Sequence, residues 1–309
     1  MKHVILGAGA VGGLIGAALA HEGDQVTMLV RPESLNRHPR YLCLESLSAK
    51  IEAPIRLDTK VNGILDVLWV AVKSHQLVPA LNAIPREALG TATIVPLLNG
   101  IDHVKLLRSR FNHECVVPAT ISVESERLGP GRFIQRSPFV RLVLSAKGEQ
   151  KLEGLAARFR QAGFSCEFQA DENTMLWSKL AFLAPFALTG TASDRDKQGI
   201  FADAAWRGRL ESAVGEACAV AAAGGATVDR EKILGMLESL PATMRSSMQK
   251  DVSAGRMSEL DAIGGPIIRA GRRYGLNVPT TRELVATIQD RLNKTLRHDT
   301  NKIPKRIIS

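Results

Sequence analysis

The stretch that most constrains this chain is Gly7-Ala8-Gly9-Ala10-Val11-Gly12, which follows a short apolar run and opens a segment rich in small residues. A GxGxxG string has little force alone, because glycine-rich turns are common. Its setting supplies the force. Residues 2–7 (KHVILG) predict a buried strand, residues 11–21 a helix, and residues 25–30 (QVTMLV) a second strand after a Gly23-Asp24 turn. That is a β-α-β unit of about 30 residues, the length a parallel crossover needs. In such a unit the first glycine permits the tight turn and the second lets the backbone approach a diphosphate. The third lets the helix pack on the strand. Free N–H groups at the helix start, together with the helix dipole, attract the anion. Gly7, Gly9, Ala10, Val11 and Gly12 are therefore the candidate diphosphate cradle. A purely structural glycine turn is the competing reading.

Arg31 follows the second strand. An NAD-binding unit places an acidic residue there to accept hydrogen bonds from the ribose 2′-OH. A cation instead pairs with the 2′-phosphate of NADP, and the guanidinium fork can bond two phosphate oxygens at once. The position predicts NADPH as cofactor, with an exposed surface arginine as the alternative. Residues 65–72 (LDVLWVAV) form a nearly continuous apolar run, as a parallel strand covered on both faces requires, and 93–98 (TIVPLL) predict another. Lys73 and Asn99-Gly100 follow these strands and so fall at the carboxyl edge of the sheet, where open α/β sheets bind ligands. Lys73 is a candidate contact for cofactor or substrate anions, and Asn99 for ribose or substrate. Asn-Gly is also simply a good turn.

Residues 116–144 alternate in polarity around Gly129-Pro130-Gly131, which predicts an antiparallel extension of the sheet. A helix over 148–161 and a strand over 164–168 complete a dinucleotide-binding domain assigned to residues 1–170. From 171 to 309 strand signals vanish. Helical patterns run over 176–188, 202–224, 230–240, 260–274 and 281–296, with starts at Asp229 and Pro279-Thr280 and stops at Gly224-Gly225 and Gly275. The expected architecture is α/β: a Rossmann-type, doubly wound sheet followed by an all-α domain that carries substrate and catalytic residues.

Several classes of function are disfavoured. No apolar stretch reaches the ~18–20 residues needed to span a bilayer, and glycines cut the first apolar run too short for a secretory signal. A cytoplasmic protein is expected. Cys43, Cys115, Cys166 and Cys218 lie far apart in apolar surroundings without metal-ligand spacing, so buried reduced thiols and no metal site are expected. The net charge of +9 is spread along the chain apart from Lys294, Arg297, Lys302, Lys305 and Arg306 near the end. That cluster reads as a solvated tail rather than a nucleic-acid site, and an anionic cofactor and substrate account for positive charge elsewhere. No heptad or exposed apolar stripe marks a subunit interface, and a homodimer through the helical half stays open.

Taken together, these residues resemble the ketopantoate reductase (2-dehydropantoate 2-reductase) family. Gly7, Gly9, Ala10, Gly12, Gly16, Leu19, Gly23, Val26 and Arg31 are similar to its N-terminal pattern, and Lys73 and Asn99-Gly100 match its next two motifs. Trp177-Ser178-Lys179-Leu180 is similar to the segment bearing its catalytic lysine. Ser246-Ser247-Met248 through Asp251, Gly255-Arg256, and Glu259-Leu260-Asp261-Ala262-Ile263 resemble its second signature. The resemblance covers nearly the whole chain. It implies hydride transfer from NADPH to the carbonyl carbon of a 2-oxo acid, foremost 2-dehydropantoate to pantoate in pantothenate biosynthesis.

By the same resemblance Lys179 is the proton donor and Glu259 its carboxylate partner. Ser247 contacts the substrate, and Asn99 contacts both substrate and nicotinamide ribose. Residue chemistry alone says less, since a lone lysine ahead of an apolar segment is also what a snorkelling surface lysine looks like. One departure stands out: Leu183 and Ala187 occupy the positions where the family carries substrate-contacting asparagines. Two alternatives follow, a related NADPH-dependent reductase of a less polar 2-oxo substrate and a non-catalytic NADPH-sensing protein. A sensor has no need of a proton donor, which counts against the second.

Overall fold

The computed structural model describes residues 1–47 and 49–300. Lys302, Lys305 and Arg306 of the basic cluster, and the side chain of Arg297, lie outside the described residues. The chain divides into two compact units, Met1–Leu176 and Trp177–Ser309.

The first unit is built on a parallel sheet. Strands β1 (Lys2–Leu6), β2 (Gln25–Leu29), β5 (Arg56–Asp58), β6 (Val67–Val70) and β7 (Thr93–Pro96) lie in the order β5-β2-β1-β6-β7. Successive side chains of a strand point to opposite faces, and here each face has its own core. Ile5, Met28, Trp69 and Val95 point into one core, while Val4, Leu6, Leu68, Val70 and Ile94 point into the other. Burial on both faces is why these strands read as unbroken apolar runs. The run over 65–72 yields the shorter strand Val67–Val70; just past it the Ala71 N–H still donates to the Leu6 carbonyl at 2.9 Å, and the Ala71–Val72 peptide passes against Gly7.

Helix α1 (Ala10–His21) joins β1 to β2, and every residue from Gly12 to Ala20 is buried. It is covered on both sides. One side rests on the parallel sheet; the other is roofed by a four-stranded sheet ordered β4-β3-β10-β9. This roof comprises β3 (Tyr41–Glu45), β4 (Lys50–Pro54), β9 (Ser125–Gly129) and β10 (Arg132–Gln135). A Cβ on Gly13 would lie 2.2 Å from the Phe133 ring of β10, and one on Gly16 would lie 3.0 Å from Leu42 of β3. Small residues in α1 thus serve two layers at once.

The antiparallel segments predicted over 116–144 exist but do not extend the parallel sheet. β9 and β10 join the roof. β8 (Ala119–Ser122) and β11 (Arg141–Ser145) pair with each other, and β11 pairs in parallel with β12 (Ser165–Gln169), forming a three-stranded sheet. An isolated bridge, Ile94 to Val116, reaches back to the parallel sheet. The physical reason is the β3–β4 hairpin, which offers β10 a free edge over α1. The remaining helices here are the short α2 (Leu77–Ala80), α3 (Asp102–Arg110) and α4 (Glu149–Gln161).

A polar knot lies under α4. Trp69 Nε1 donates to His3 Nδ1 at 3.3 Å, so His3 carries its proton on Nε2, which faces Asp24 at 3.2 Å. Arg158 of α4 donates to Asp24 at 2.8 Å. Burial drives the His3 pKa down to about 4 against the pull of Asp24, and burial takes His103 on α3 to about 4 as well.

Helix α5 (Glu172–Ser193) begins in the first unit and runs on into the second. It is followed by α6 (Lys197–Ala202), α7 (Ala204–Ala223), α8 (Arg230–Glu238), α9 (Ser247–Ser253), α10 (Leu260–Tyr274) and α11 (Pro279–Thr300). Caps mark their ends. Asp203 accepts from Ala205 and Trp206, Asp229 from Lys232, and Gly275 at φ +69° stops α10 in the left-handed conformation. Glu216 of α7 accepts the backbone N–H groups of Thr280 and Thr281 at 2.7 and 2.8 Å, capping α11 from a neighbouring helix. The four cysteines are free and buried, and burial raises the Cys166 thiol to about 11.

Burial takes the folded pKa values of His3 and His103 below the ordinary 6.5, and burial lowers that of His38 in the same direction, so the unfolded chain takes up protons at these histidines first. Their contribution is complete above pH 6.5 and is lost as pH falls towards 4, at up to about 1.4 kcal/mol per pH unit for each histidine. Urea melts between pH 7 and 4 should show this loss, and His103→Asn should flatten part of it. In α1, Gly13→Ala should cost about 1–3 kcal/mol through collision with Phe133, with Phe133→Leu restoring part of the loss.

Candidate active site

The turn from β1 into α1 leaves no room for side chains at two of its glycines. Gly7 sits at φ +117°, and a Cβ there would lie 2.8 Å from the backbone of Ala71 and Val72. A Cβ on Gly12 would lie 2.0 Å from the Gly7 carbonyl oxygen. Gly9 differs: the nearest atom to its added Cβ is Ala71 O at 3.9 Å, so protein packing does not demand glycine there. Gly9 is also the N-cap of α1, no side chain caps the helix, and no acidic residue lies in its first turn. A bare helix start with free N–H groups and open space beside it fits an anion that the backbone must approach closely. Ala10 and Val11, half-buried, form the first turn.

Strand register brings the other first-unit candidates to the same edge. Leu6 pairs with Leu29 on one side and with Val70 on the other, and Val70 pairs with Pro96. Gly7, Arg31, Lys73 and Asn99 therefore lie one, two, three and three residues past a common line at the carboxyl ends of adjacent strands. The strand order reverses direction between β1 and β6, the switch point at which such sheets open a crevice for ligands. Arg31 is in extended backbone, its side chain 80% exposed, with Nε 3.5 Å from Glu33, itself 63% exposed. An exposed pair of this kind is a weak interaction that a stronger anion can displace. Lys73 and Asn99 are half-buried, and Gly100 turns the chain into α3 at φ +82°.

In the second unit Lys179 is half-buried on α5, and Leu183 and Ala187 follow it at four-residue spacing along the helix. Leu183 is half-buried and Ala187 fully buried. Two other helices pack on this one. A Cβ on Gly264 of α10 would lie 3.4 Å from Leu188, and one on Gly190 would lie 3.0 Å from Gln249 Oε1 of α9. Glu259 is the half-buried residue at the start of α10, and Ser247 is the exposed first residue of α9.

Several residues of the second signature hold the backbone in place. Ser246 caps α9 by accepting from the Gln249 N–H, and Arg256 Nε donates to the buried Asp251 carboxylate at 2.8 Å on the way to Glu259. Sequence reasoning missed Gln249, whose amide donates to Arg195 O at 3.0 Å, and the Arg108–Glu172 pair at the start of α5. The partners lie 54 and 64 residues apart, and no local pattern signals such pairings. Among the described residues no cluster of His, Cys, Asp and Glu could hold a metal, and no helix is long and apolar enough to cross a membrane.

A parallel sheet with a bare glycine cradle at its switch point, followed by a helical unit, is the plan of a dinucleotide-dependent oxidoreductase. Comparison with known proteins narrows the class. The family model for ketopantoate reductase PanE/ApbA matches residues 3–147, and the model for its C-terminal part matches residues 171–291. A 2-dehydropantoate 2-reductase from Caulobacter vibrioides is 30% identical, over 92% of this chain and 97% of its own length. The crystal structure of a PanE/ApbA family ketopantoate reductase from Ralstonia eutropha superposes with a TM-score of 0.86 at 28% identity, covering 96% of this chain and all of that one. A D-mandelate dehydrogenase holding NADH and anilino(oxo)acetate shares the fold, with a TM-score of 0.85 at 22% identity over 95% and 99% of the two chains. The chain belongs to the ketopantoate reductase family, oxidoreductases that reduce 2-oxo acids with a nicotinamide cofactor.

The two kinds of glycine can be separated by mutation. Gly9→Val should leave the fold within about 1–2 kcal/mol of the parent while weakening dinucleotide binding at least tenfold. Gly12→Ala should lower stability as well. Thermal melts and titration of NADPH fluorescence measure the two effects, and equal affinity in parent and Gly9→Val would remove Gly9 from the cradle.

Proposed function

We propose that the protein reduces a 2-oxo acid to the 2-hydroxy acid with NADPH, with 2-dehydropantoate as the leading substrate. The observation that carries this reading is the uncapped start of α1 beside Gly9, open to a ligand on a chain that belongs to this family. The first unit is the dinucleotide-binding domain, and the helical unit carries the substrate and proton chemistry. The N–H groups of Ala10, Val11 and Gly12 hold the diphosphate, Lys73 adds positive charge at the same edge, and Arg31 binds the 2′-phosphate after releasing Glu33. When bound, the reduced nicotinamide supplies the hydride.

The chain's own residues complete the reaction. Hydride addition at the carbonyl carbon turns the carbonyl oxygen into an alkoxide, which needs one proton. Lys179 stabilises that oxygen as a cation and then gives up a proton from Nζ. Glu259 orients the lysine, while Asn99 and Ser247 hold the substrate. The overall balance is a 2-oxo acid, NADPH and a proton giving a 2-hydroxy acid and NADP⁺.

Leu183 and Ala187 favour a second reading of the substrate. Leu183, half-buried, puts an apolar side chain one turn from Lys179 along α5, and the fully buried Ala187 another turn on offers no polar group, so α5 itself supplies no side-chain amide at these two positions. Losing hydrogen-bonding partners at these two positions weakens discrimination in favour of a hydroxylated substrate, so a less polar 2-oxo acid is the second reading. NADPH oxidation with 2-dehydropantoate and a panel of branched and aromatic 2-oxo acids distinguishes the two. Location in the cytoplasm and assembly as a homodimer are part of the same proposal, tested by fractionation and by sedimentation.

Two substitutions test the roles. Lys179→Ala should lower kcat by about 10²–10⁴-fold with the Kd for NADPH within about twofold of the parent; unchanged turnover would remove the lysine from the mechanism. Arg31→Ala should weaken NADPH at least tenfold and leave NADH nearly unaffected. Equal effects on both cofactors would assign the 2′-phosphate to another residue.

A further inference from the structure

We propose that Arg108 and Glu172 are positioning residues for Lys179, fixing the root of the helix that presents it; this rests on the functional reading above. Glu172 is the first residue of α5 and Arg108 stands near the end of α3. The guanidinium meets the carboxylate as a fork, Nη1 to Oε1 at 2.6 Å and Nη2 to Oε2 at 2.9 Å, with the side chains only 16% and 17% exposed. Two further contacts lock the pair. The buried Ser145 hydroxyl at the end of β11 donates to Glu172 Oε2 at 3.3 Å, and Arg108 Nη2 also reaches the Val116 carbonyl at 3.4 Å.

Around this pair, Val104 of α3 and Val143 of β11 pack with Met175 and Leu176, with Ile101 at the rim. Apolar contact supplies adhesion without direction. The two parallel charge-assisted bonds add direction, because they define a plane about which α5 cannot turn freely. Glu172, Leu176, Lys179 and Leu183 are spaced four, three and four residues apart, one stripe of the helix. The anchor and the lysine therefore share a face two turns apart. A helical side-chain tip stands about 5–6 Å from the axis, so a rotation of about 20° moves it by about 2 Å. A misplacement of about 1 Å can cost on the order of 10²-fold in rate. α3 also begins three residues after Asn99, so one short helix joins the Asn99 turn to the anchor.

Removing one partner alone would strand a half-buried charge and confound stability with position. The decisive variant is therefore R108M/E172M, which replaces the pair by apolar side chains. Tm, NADPH Kd, kcat and KM are measured on the same preparations, with whichever 2-oxo acid the parent reduces. The expected result is a Tm within a few degrees of the parent and NADPH Kd within twofold, with kcat reduced at least thirtyfold and its pH profile displaced. A double variant with parental kcat overturns the positioning role. Should that variant not fold, R108K keeps the charge and loses the fork; unchanged kcat there overturns the role equally. A parent that binds NADPH but oxidises it with no 2-oxo acid overturns the functional reading itself, and the positioning role with it.

Discussion

Backbone lies against backbone where the first strand hands over to the first helix, and the rest of the first unit is arranged around that approach. The Gly7 carbonyl occupies the space a Cβ of residue 12 would need, and the peptide after Ala71 occupies the space a Cβ of residue 7 would need. Only glycine satisfies both, and the positive φ at Gly7 leads to the same residue independently. With those side chains absent, α1 lies flush on the sheet, β6 can exit past the turn, and the helix start faces outward without a cap. A Cβ on Gly9 would lie 3.9 Å from the Ala71 carbonyl oxygen, so packing against the rest of the protein does not require glycine there.

The helical unit is organised differently. Its chain is apolar on all sides through the middle of α5, as a helix enclosed by neighbours should be, and α9 and α10 approach it at Gly190 and Gly264. Much of the second signature turns out to be scaffolding. Ser246, Asp251 and Arg256 close hydrogen bonds within their own loop and so define the path to Glu259. Proximity to a candidate catalytic residue thus separates into side chains that could touch a substrate and side chains that hold the backbone still.

Much of this was legible from residues alone, for identifiable reasons. The β-α-β start, the apolar parallel strands and the helix ends at Asp229 and Gly275 all come from interactions a few residues long, and those leave local patterns. The roof over α1 did not show, because β3 and β4 are short and their partner β10 lies some 90 residues onward; nothing in either segment names the other. Helices α6 and α9 are too short for periodicity to reveal. At the candidate site, sequence pointed to single residues with distinctive chemistry, such as Arg31 and Lys179. It was silent on Glu33 beside Arg31 and on Glu172 beside Arg108, since ion pairs follow from the fold and charged residues are plentiful everywhere along the chain.

Helix α1 has no solvent face between Gly12 and Ala20. A surface helix under strain can slide or tilt towards water, whereas this one is clamped between a floor and a ceiling of strands and has no direction in which to yield. A ligand docking at its half-buried beginning would meet a surface already set in shape, with little ordering left to be done on arrival. The same confinement makes the interior of the helix intolerant: an enlarged residue in its middle would press on both layers together, and the disturbance would emerge at the mouth.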